Sequence, residues 1–341
     1  MKINSRGQVI VAVLAFGLTA PLAVMAQTTV FNDTFGSGST VQSASPASPT
    51  ANSTAYEWFQ QGAAPTTPTI ASGDLHLAGR TTTSSISEVE ALFTTTPVAL
   101  MTVGDYIDLT VVFTDTQNIF PAGSASTLNI GLYNSGGSLP TQGVRLDASG
   151  SGTGGAVGWT GYNARIGGTG SSSPIFTRTP QGAGLTNPNQ SQDVLFNGAS
   201  GSSTYSNPAG TNVAMGTASS QTFAAGLTAG STYTLDYQIS LSAPNTLTIS
   251  NAVYSGSAVN PLNILFSEIG TTNSLGGLVL SYDAFALGWR FNSTSAANSI
   301  DVSSITVNDS IQAVVPEPGT VALLGSGAIL AVFLRRRQSR S

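Results

Sequence analysis

The sequence predicts an all-β protein, an antiparallel β-sandwich, and three observations carry that expectation. Apolar residues recur at every second position in many short runs, and helical spacing is scarce. Turn-forming Gly, Pro, Asn and Ser separate the runs, as they do in sandwiches and barrels. Hydrophobic residues make up 40% of the chain, too many for a disordered polar chain even though only 8% of residues are charged.

Ser231 to Ser242 is the clearest strand. Tyr233, Leu235, Tyr237, Ile239 and Leu241 fall on one face, and Thr232, Thr234, Asp236, Gln238 and Ser240 fall on the other. Ala243-Pro244-Asn245 turns the chain, and Leu247, Ile249 and Val253 resume the alternation, which predicts a hairpin. Tyr106 to Thr114 places Ile107, Leu109, Val111 and Phe113 inward in the same way. Shorter runs predict strands at Thr29 to Phe35, Asp74 to Ala78, Ser87 to Phe93, Leu128 to Tyr133, Val157 to Ile166, Asp283 to Phe291 and Ser299 to Val307. In the last of these the apolar parity shifts from Ile300 and Val302 to Ile305 and Val307, so a bulge is expected at Ser303 or Ser304. Gly36 to Thr54 reads as a surface loop. From Ser135 to Gly230 the pattern thins into Gly, Ser, Asn and Pro, as in loops carried on a rigid scaffold.

Both ends read as targeting segments. Lys2 and Arg6 precede the apolar run Val9 to Ala20, and Val24-Met25-Ala26 offers small residues for a signal peptidase, so a signal helix at 1–26 cut after Ala26 is expected. At the other end, Pro316-Glu317-Pro318 precedes an apolar stretch, 319–334, which runs into Arg335, Arg336 and Arg337. As a helix this stretch rises about 24 Å, short of a hydrocarbon core of about 30 Å. It reads as a short transmembrane helix with its arginines on the cytoplasmic side. An ordinary tail anchor has the same topology. Folding is thus expected for 27–313, with 314–341 as a tail.

Without its ends the chain keeps Arg80, Arg145, Arg165, Arg178 and Arg290 against every acidic residue except Glu317, a balance of −10, and it keeps no lysine. Such a surface repels phosphate backbones, so nucleic acid is excluded as a partner. Cys is absent, so no disulfide and no thiolate metal site exists.

The order Pro316-Glu317-Pro318, apolar segment, arginine cluster resembles the PEP-CTERM sorting signal of Gram-negative bacteria. The resemblance implies transient retention in the inner membrane, processing by an exosortase-type enzyme near Pro316 to Pro318, and display at the cell surface or in an exopolysaccharide matrix. The body resembles concanavalin A-like jelly rolls in layout, with Thr29 to Phe35 pairing with Ser299 to Val307. That likeness implies a lectin-like or glucanase-like scaffold.

Few residues offer chemistry. His76 is the only histidine, and alternation turns it away from Leu75 and Leu77, toward solvent. Glu88 and Glu90, two apart on one strand, have Cα atoms about 6.5–7 Å apart, a spacing compatible with an acid and nucleophile pair. Laminarinase-type glucanases carry E-x-D-x-E or E-x-D-x-x-E on one strand. Here Ser87-Glu88-Val89-Glu90-Ala91-Leu92 has Glu in the middle and Leu in place of the third acid. The competing reading is a plain solvated strand face. No cofactor is indicated, although calcium needs only oxygen ligands and Asp33, Asp301 and Asp309 lie near the terminal strands.

Trp159, Asn163 and Arg165 share a face in extended geometry, with Gly161 between them, and a flat ring beside amide and guanidinium donors suits a sugar. The alternative makes Trp159 a core residue. The expected function is a non-catalytic exported surface or matrix protein that binds a neutral polysaccharide. A secreted polysaccharide hydrolase using Glu88 and Glu90 is the competing class.

Overall fold

The computed structural model describes residues 27–36, 56–60, 69–78, 85–116, 127–137, 159–167, 175–178, 213–214, 226–272, 277–291 and 299–311. The signal segment ending at Ala26, the tail from Pro316 to Arg337 and nearly all of the Gly36 to Thr54 stretch lie outside these residues. Among the described residues no helix is long and apolar enough to cross a membrane.

Two antiparallel sheets form the compact unit Ala26–Ile311. The first has eight strands. Its path runs β14 (Ile264–Thr272), β13 (Thr246–Ser255), β12 (Ser231–Ala243), β7 (Tyr106–Asp115), β17 (Ser299–Ser310), β4 (Asp74–Ala78) and β3 (Thr69–Ala71), and β1 (Thr28–Asp33) also pairs with β17. The second has seven: β11 (Val213–Ala214), β10 (Ile175–Arg178), β9 (Thr160–Gly167), β8 (Thr127–Asn134), β16 (Ala284–Phe291), β5 (Ser85–Leu92) and β2 (Tyr56–Gln60). A small ladder joins β6 (Val98–Ala99) to β15 (Ser281–Tyr282).

The main core collects the inward residues of both sheets. Ile107, Leu109, Val111 and Phe113 of β7 and Tyr233, Leu235, Tyr237 and Ile239 of β12 meet Leu128, Ile130 and Leu132 of β8 and Phe285 and Leu287 of β16. Period-2 alternation produces this sorting, because each strand has one face to bury. The predicted hairpin is present, with Ala243 opposite Thr246 and Asn245 at φ 60° in the turn. First and last strands pair as expected, Phe31 with Val307 and Asp33 with Ile305. The bulge falls where the parity break placed it, between Val302 and Ser304 in the β7–β17 ladder.

Seven strands, β2, β3, β6, β10, β11, β14 and β15, lack the extended alternation that would have revealed them. β14 turns Phe266, Glu268 and Gly270 inward while Leu265 and Ile269 stay exposed, so its polar and apolar faces are nearly reversed. β2, β10 and β11 are short runs of two to five residues among Gly, Pro and Ser. Thr234 lies on the outer face as its spacing assigns, but it is fully buried there, and its hydroxyl donates to Gly256 O at 2.8 Å.

His76 turns to the outer face of the first sheet, away from Leu75 and Leu77, as expected, but it is half-buried there, opposite Asp301 in the ladder, and its Nδ1 pairs with Asp301 Oδ1. The hydrogen bond to Asp301 raises its pKa above the ordinary 6.5, partial burial opposes the rise, and the charges of Asp301 and Asp74 reinforce it.

Two tests follow from these contacts. Leu235→Ala should cost about 2–5 kcal/mol, Thr234→Ala about 1 kcal/mol for its lost hydrogen bond, and Gln238→Ala less than either, as measured by urea unfolding. A folded-state pKa above the unfolded value means that the stabilisation by His76 is full below pH 6.5 and fades as pH rises through the folded value. The stability gap between wild type and His76→Gln should therefore be wider at about pH 5.5 than at about pH 8.5. An equal gap at both values would remove the ion pair from the account.

Candidate functional site

The strands of the second sheet set three predicted residues on one surface. On β9, Tyr162, Ala164 and Ile166 face the core, which leaves Gly161, Asn163 and Arg165 on the outer face. Register extends the rows across the sheet: Asn163 is opposite Gly131 and Phe176, and Arg165 is opposite Asn129. Gly131 in turn pairs with Ala286, Ala286 with Glu90, Asn129 with Gly288, and Gly288 with Glu88. A trough of small residues thus runs along β16 and β8, with carboxyl residues on one bank and amide and guanidinium residues on the other.

That trough is largely filled. Trp159 is fully buried in a satellite apolar cluster with Leu92, Tyr133, Phe176, Ala284 and Ala286. Its ring lies 6.3 Å from that of Tyr133. Tyr133 itself lies over Gly131, where an added Cβ would come within 2.7 Å of the Tyr133 ring and hydroxyl. The open aromatic platform expected at Trp159 is therefore absent, because neighbouring aromatics close over the glycine gaps that were to expose it. Asn163 is also buried, and Arg165 is half-buried with its guanidinium carbon 5.9 Å from the centre of the Phe176 ring. Asn129, which the sequence did not single out, has both side-chain amide atoms buried with no hydrogen-bond partner among the described residues.

Glu90 is not on a solvated face; it is fully buried. Of Glu88, whose side chain lies outside the described residues, only the strand position is fixed. The ladder adds a third acid that the motif comparison missed, since β2 places Glu57 opposite Glu90. Only strand pairing, which brings residues 57 and 90 together, could have revealed it.

The three aspartates considered for calcium do not converge. Asp33 Oδ1 is engaged by Phe35 N at 2.7 Å, Asp301 by His76, and Asp309 lies eight residues from Asp301 along β17. Among the described residues no group of three or more His, Cys, Asp or Glu side chains is arranged to hold a metal ion. One carboxyl pair is in contact, Asp108 with Asp236, on the outer face of the first sheet. Burial, then the hydrogen bond and charge of Asp108, push Asp236 up to about 8, so the pair holds a proton at neutral pH.

An accessible cleft opens at one end of the sandwich, where β8 ends and β9 begins. It has a volume of about 240 Å³ and is lined by Asn134, Thr160 and the segment 277–281. Asn134 Nδ2 donates to Ser281 Oγ at 2.6 Å, and Asn134 Oδ1 accepts from Gly136 N at 2.8 Å. The segment is pinned from below: Val279 N donates to Tyr162 Oη at 3.0 Å, and Tyr282 Oη donates to Val279 O at 2.6 Å. Asp283 fixes the neighbouring turn, accepting from Ser135 N and Ser135 Oγ at 2.7 Å each. Among the described residues the lining holds amide, hydroxyl and leucine groups and no charged side chain.

Residues 314–338 match the PEP-CTERM protein-sorting motif. That motif implies export and sorting to the cell surface, with an exosortase as processing partner. No curated protein matches the chain. Among solved structures, the chain is similar to basic winged bean lectin with Tn-antigen, at 10% identity, covering 84% of this chain and 100% of that one with a TM-score of 0.38. It is similar to peanut lectin with a 9mer peptide at 10% identity, covering 83% and 97% with a TM-score of 0.35. A Shewanella oneidensis protein of unknown function is similar at 11% identity, covering 86% and 90% with a TM-score of 0.36. These are likenesses of sandwich architecture and carry no functional conclusion.

The burial of Trp159 has a measurable consequence. Trp159→Ala should cost about 3–5 kcal/mol, as buried aromatic truncations do. A melting temperature close to that of wild type would restore the exposed reading.

Proposed function

We propose that this is a non-catalytic protein exported by its signal segment, held transiently in the inner membrane by 319–334, and released to the surface or exopolysaccharide matrix. There its sandwich binds a neutral glycan. The sorting motif at 314–338 supports the first half. The observation that carries the second is the open cleft, whose amide, two hydroxyls and leucines offer hydrogen-bonding edges and an apolar wall at about the scale of one sugar ring. Its lack of charge, within a body of −10, favours a neutral ligand over an acidic one.

The cleft touches the predicted sugar face at its edge, since Thr160 lies between Trp159 and Gly161. Two footprints are therefore distinguishable by mutation. Leu280→Ser alters an exposed cleft residue, and Arg165→Ala alters the half-buried member of the outer face. In titrations against matrix polysaccharide, loss of binding in the first variant alone supports the cleft, and loss in the second alone supports the outer face. Retained binding in both would overturn both footprints, and no binding by the wild type would overturn the glycan reading.

The register that sets Glu57 opposite Glu90 favours a second reading, a hydrolase with its acids on β2 and β5. The complete burial of Glu90 weighs against it, because a general acid must reach the glycosidic oxygen. Release of reducing ends by wild type and not by Glu90→Gln would establish it. Mass spectrometry of the surface form should show a chain beginning after Ala26 and ending near Pro316 to Pro318. An intact Arg335 to Arg337 terminus outside the inner membrane would contradict this processing.

A further inference from the structure

A polar row crosses the inner face of the first sheet near its β14 edge. Tyr237 is the ladder partner of Asn251, and Asn251 is the partner of Glu268. Directly opposed residues share a face with Cβ atoms about 4.5–5.5 Å apart, so the three side chains are neighbours. That face is the one turned to the other sheet. Leu235, Ile239, Ile249 and Val253, which flank Tyr237 and Asn251, belong to the main core, and an added Cβ on Gly270 would meet Ile175 Cδ1 at 3.0 Å. Tyr237 and Asn251 are fully buried and Glu268 is 1% exposed.

Within this row only one hydrogen bond forms, from Asn251 Nδ2 to Glu268 Oε1 at 2.9 Å. Glu268 Oε2, Asn251 Oδ1 and Tyr237 Oη have no partner among the described residues. Three enclosed oxygens without partners in one row are costly to leave so. We propose that Glu268, Asn251 and Tyr237 hold a monovalent alkali cation, sodium or potassium, between the two sheets.

Chemistry and charge select this class of ion. All the free atoms are oxygens, which suit hard cations and not soft ones. The row contributes a single acid, which burial pushes up to about 8 while the row is empty, so a monovalent cation replaces one proton without changing the net charge, whereas a divalent ion would leave net charge in an apolar interior. Asn251 and Tyr237 add neutral oxygen dipoles without adding charge. The site is separate from the glycan cleft, none of whose lining residues belongs to this row.

The exported protein supplies the test. Its melting temperature in sodium, potassium and choline chloride at equal ionic strength should be higher by several degrees in one of the alkali salts, and the better salt names the ion. Glu268→Gln should abolish that difference, and Tyr237→Phe, which preserves packing, should reduce it. Thallium(I) soaked into crystals should give an anomalous peak between the three residues. Identical melting in all three salts would overturn the proposal in favour of an internal water. A salt difference retained in Glu268→Gln, or a thallium peak only elsewhere, would overturn it too.

Discussion

Strand β17 holds the first sheet together, and one unpaired residue lets it do so. Along one edge it pairs with ten residues of β7, from Ile300 opposite Asp115 to Ser310 opposite Tyr106. Along the other, its first half pairs with β4 and its second half with β1. A regular strand alternates strictly, so Ile300 and Val302 could not face the same side as Ile305 and Val307. The extra residue between Val302 and Ser304 resets the parity, and all four become core residues. Without it one half of the strand would turn its apolar side chains to water, and either β1 or β4 would lose its partner in register. The bulge is thus the condition under which both terminal regions of the folded unit can close on a single strand.

The same parity logic decides what could be read from the chain. β12 and β7 were legible because their inward residues are aromatic or branched and their outward residues polar. β14 was not, because burial inverts its pattern: the inner face carries Glu268 and Gly270, and Leu265 and Ile269 face out at an edge with no further partner strand among the described residues. Alternation reports which side is apolar, and it fails where the interior is polar.

The candidate site was legible in part for a related reason. Spacing put Trp159, Asn163 and Arg165 on one face correctly. What spacing cannot report is the neighbour across the ladder, and here Tyr133 packs against Gly161, whose missing side chain was to leave the ring open. Glu90 shows the same limit: its position on the outer face followed from alternation, but its burial and its opposition to Glu57 come from strands distant in sequence. The cleft at Asn134, Thr160 and Ser281 joins three segments that no local pattern connects.

Scarcity of charge links these sites physically. A body without lysine and with five arginines has few cations to set beside its buried acids, and His76 pairs with Asp301. Several buried acids are satisfied in other ways. Asp33 and Asp283 accept backbone amides, while Asp108 and Asp236 share a proton because two charged carboxylates in contact would repel. Glu268 has only the Asn251 amide at one oxygen, and the positive charge of Arg165 is the weakest of the influences on it. An acid with so little help from the protein requires either a proton or a bound cation, and that choice sets how firmly β14, the edge strand, is held against β13. The cleft needs no such compensation, because its groups among the described residues are neutral and already oriented by Tyr162, Tyr282 and Asp283. The molecule therefore buries most of its costly polar groups, on the outer faces of the sheets as well as between them, and lines the cleft with neutral groups among the described residues.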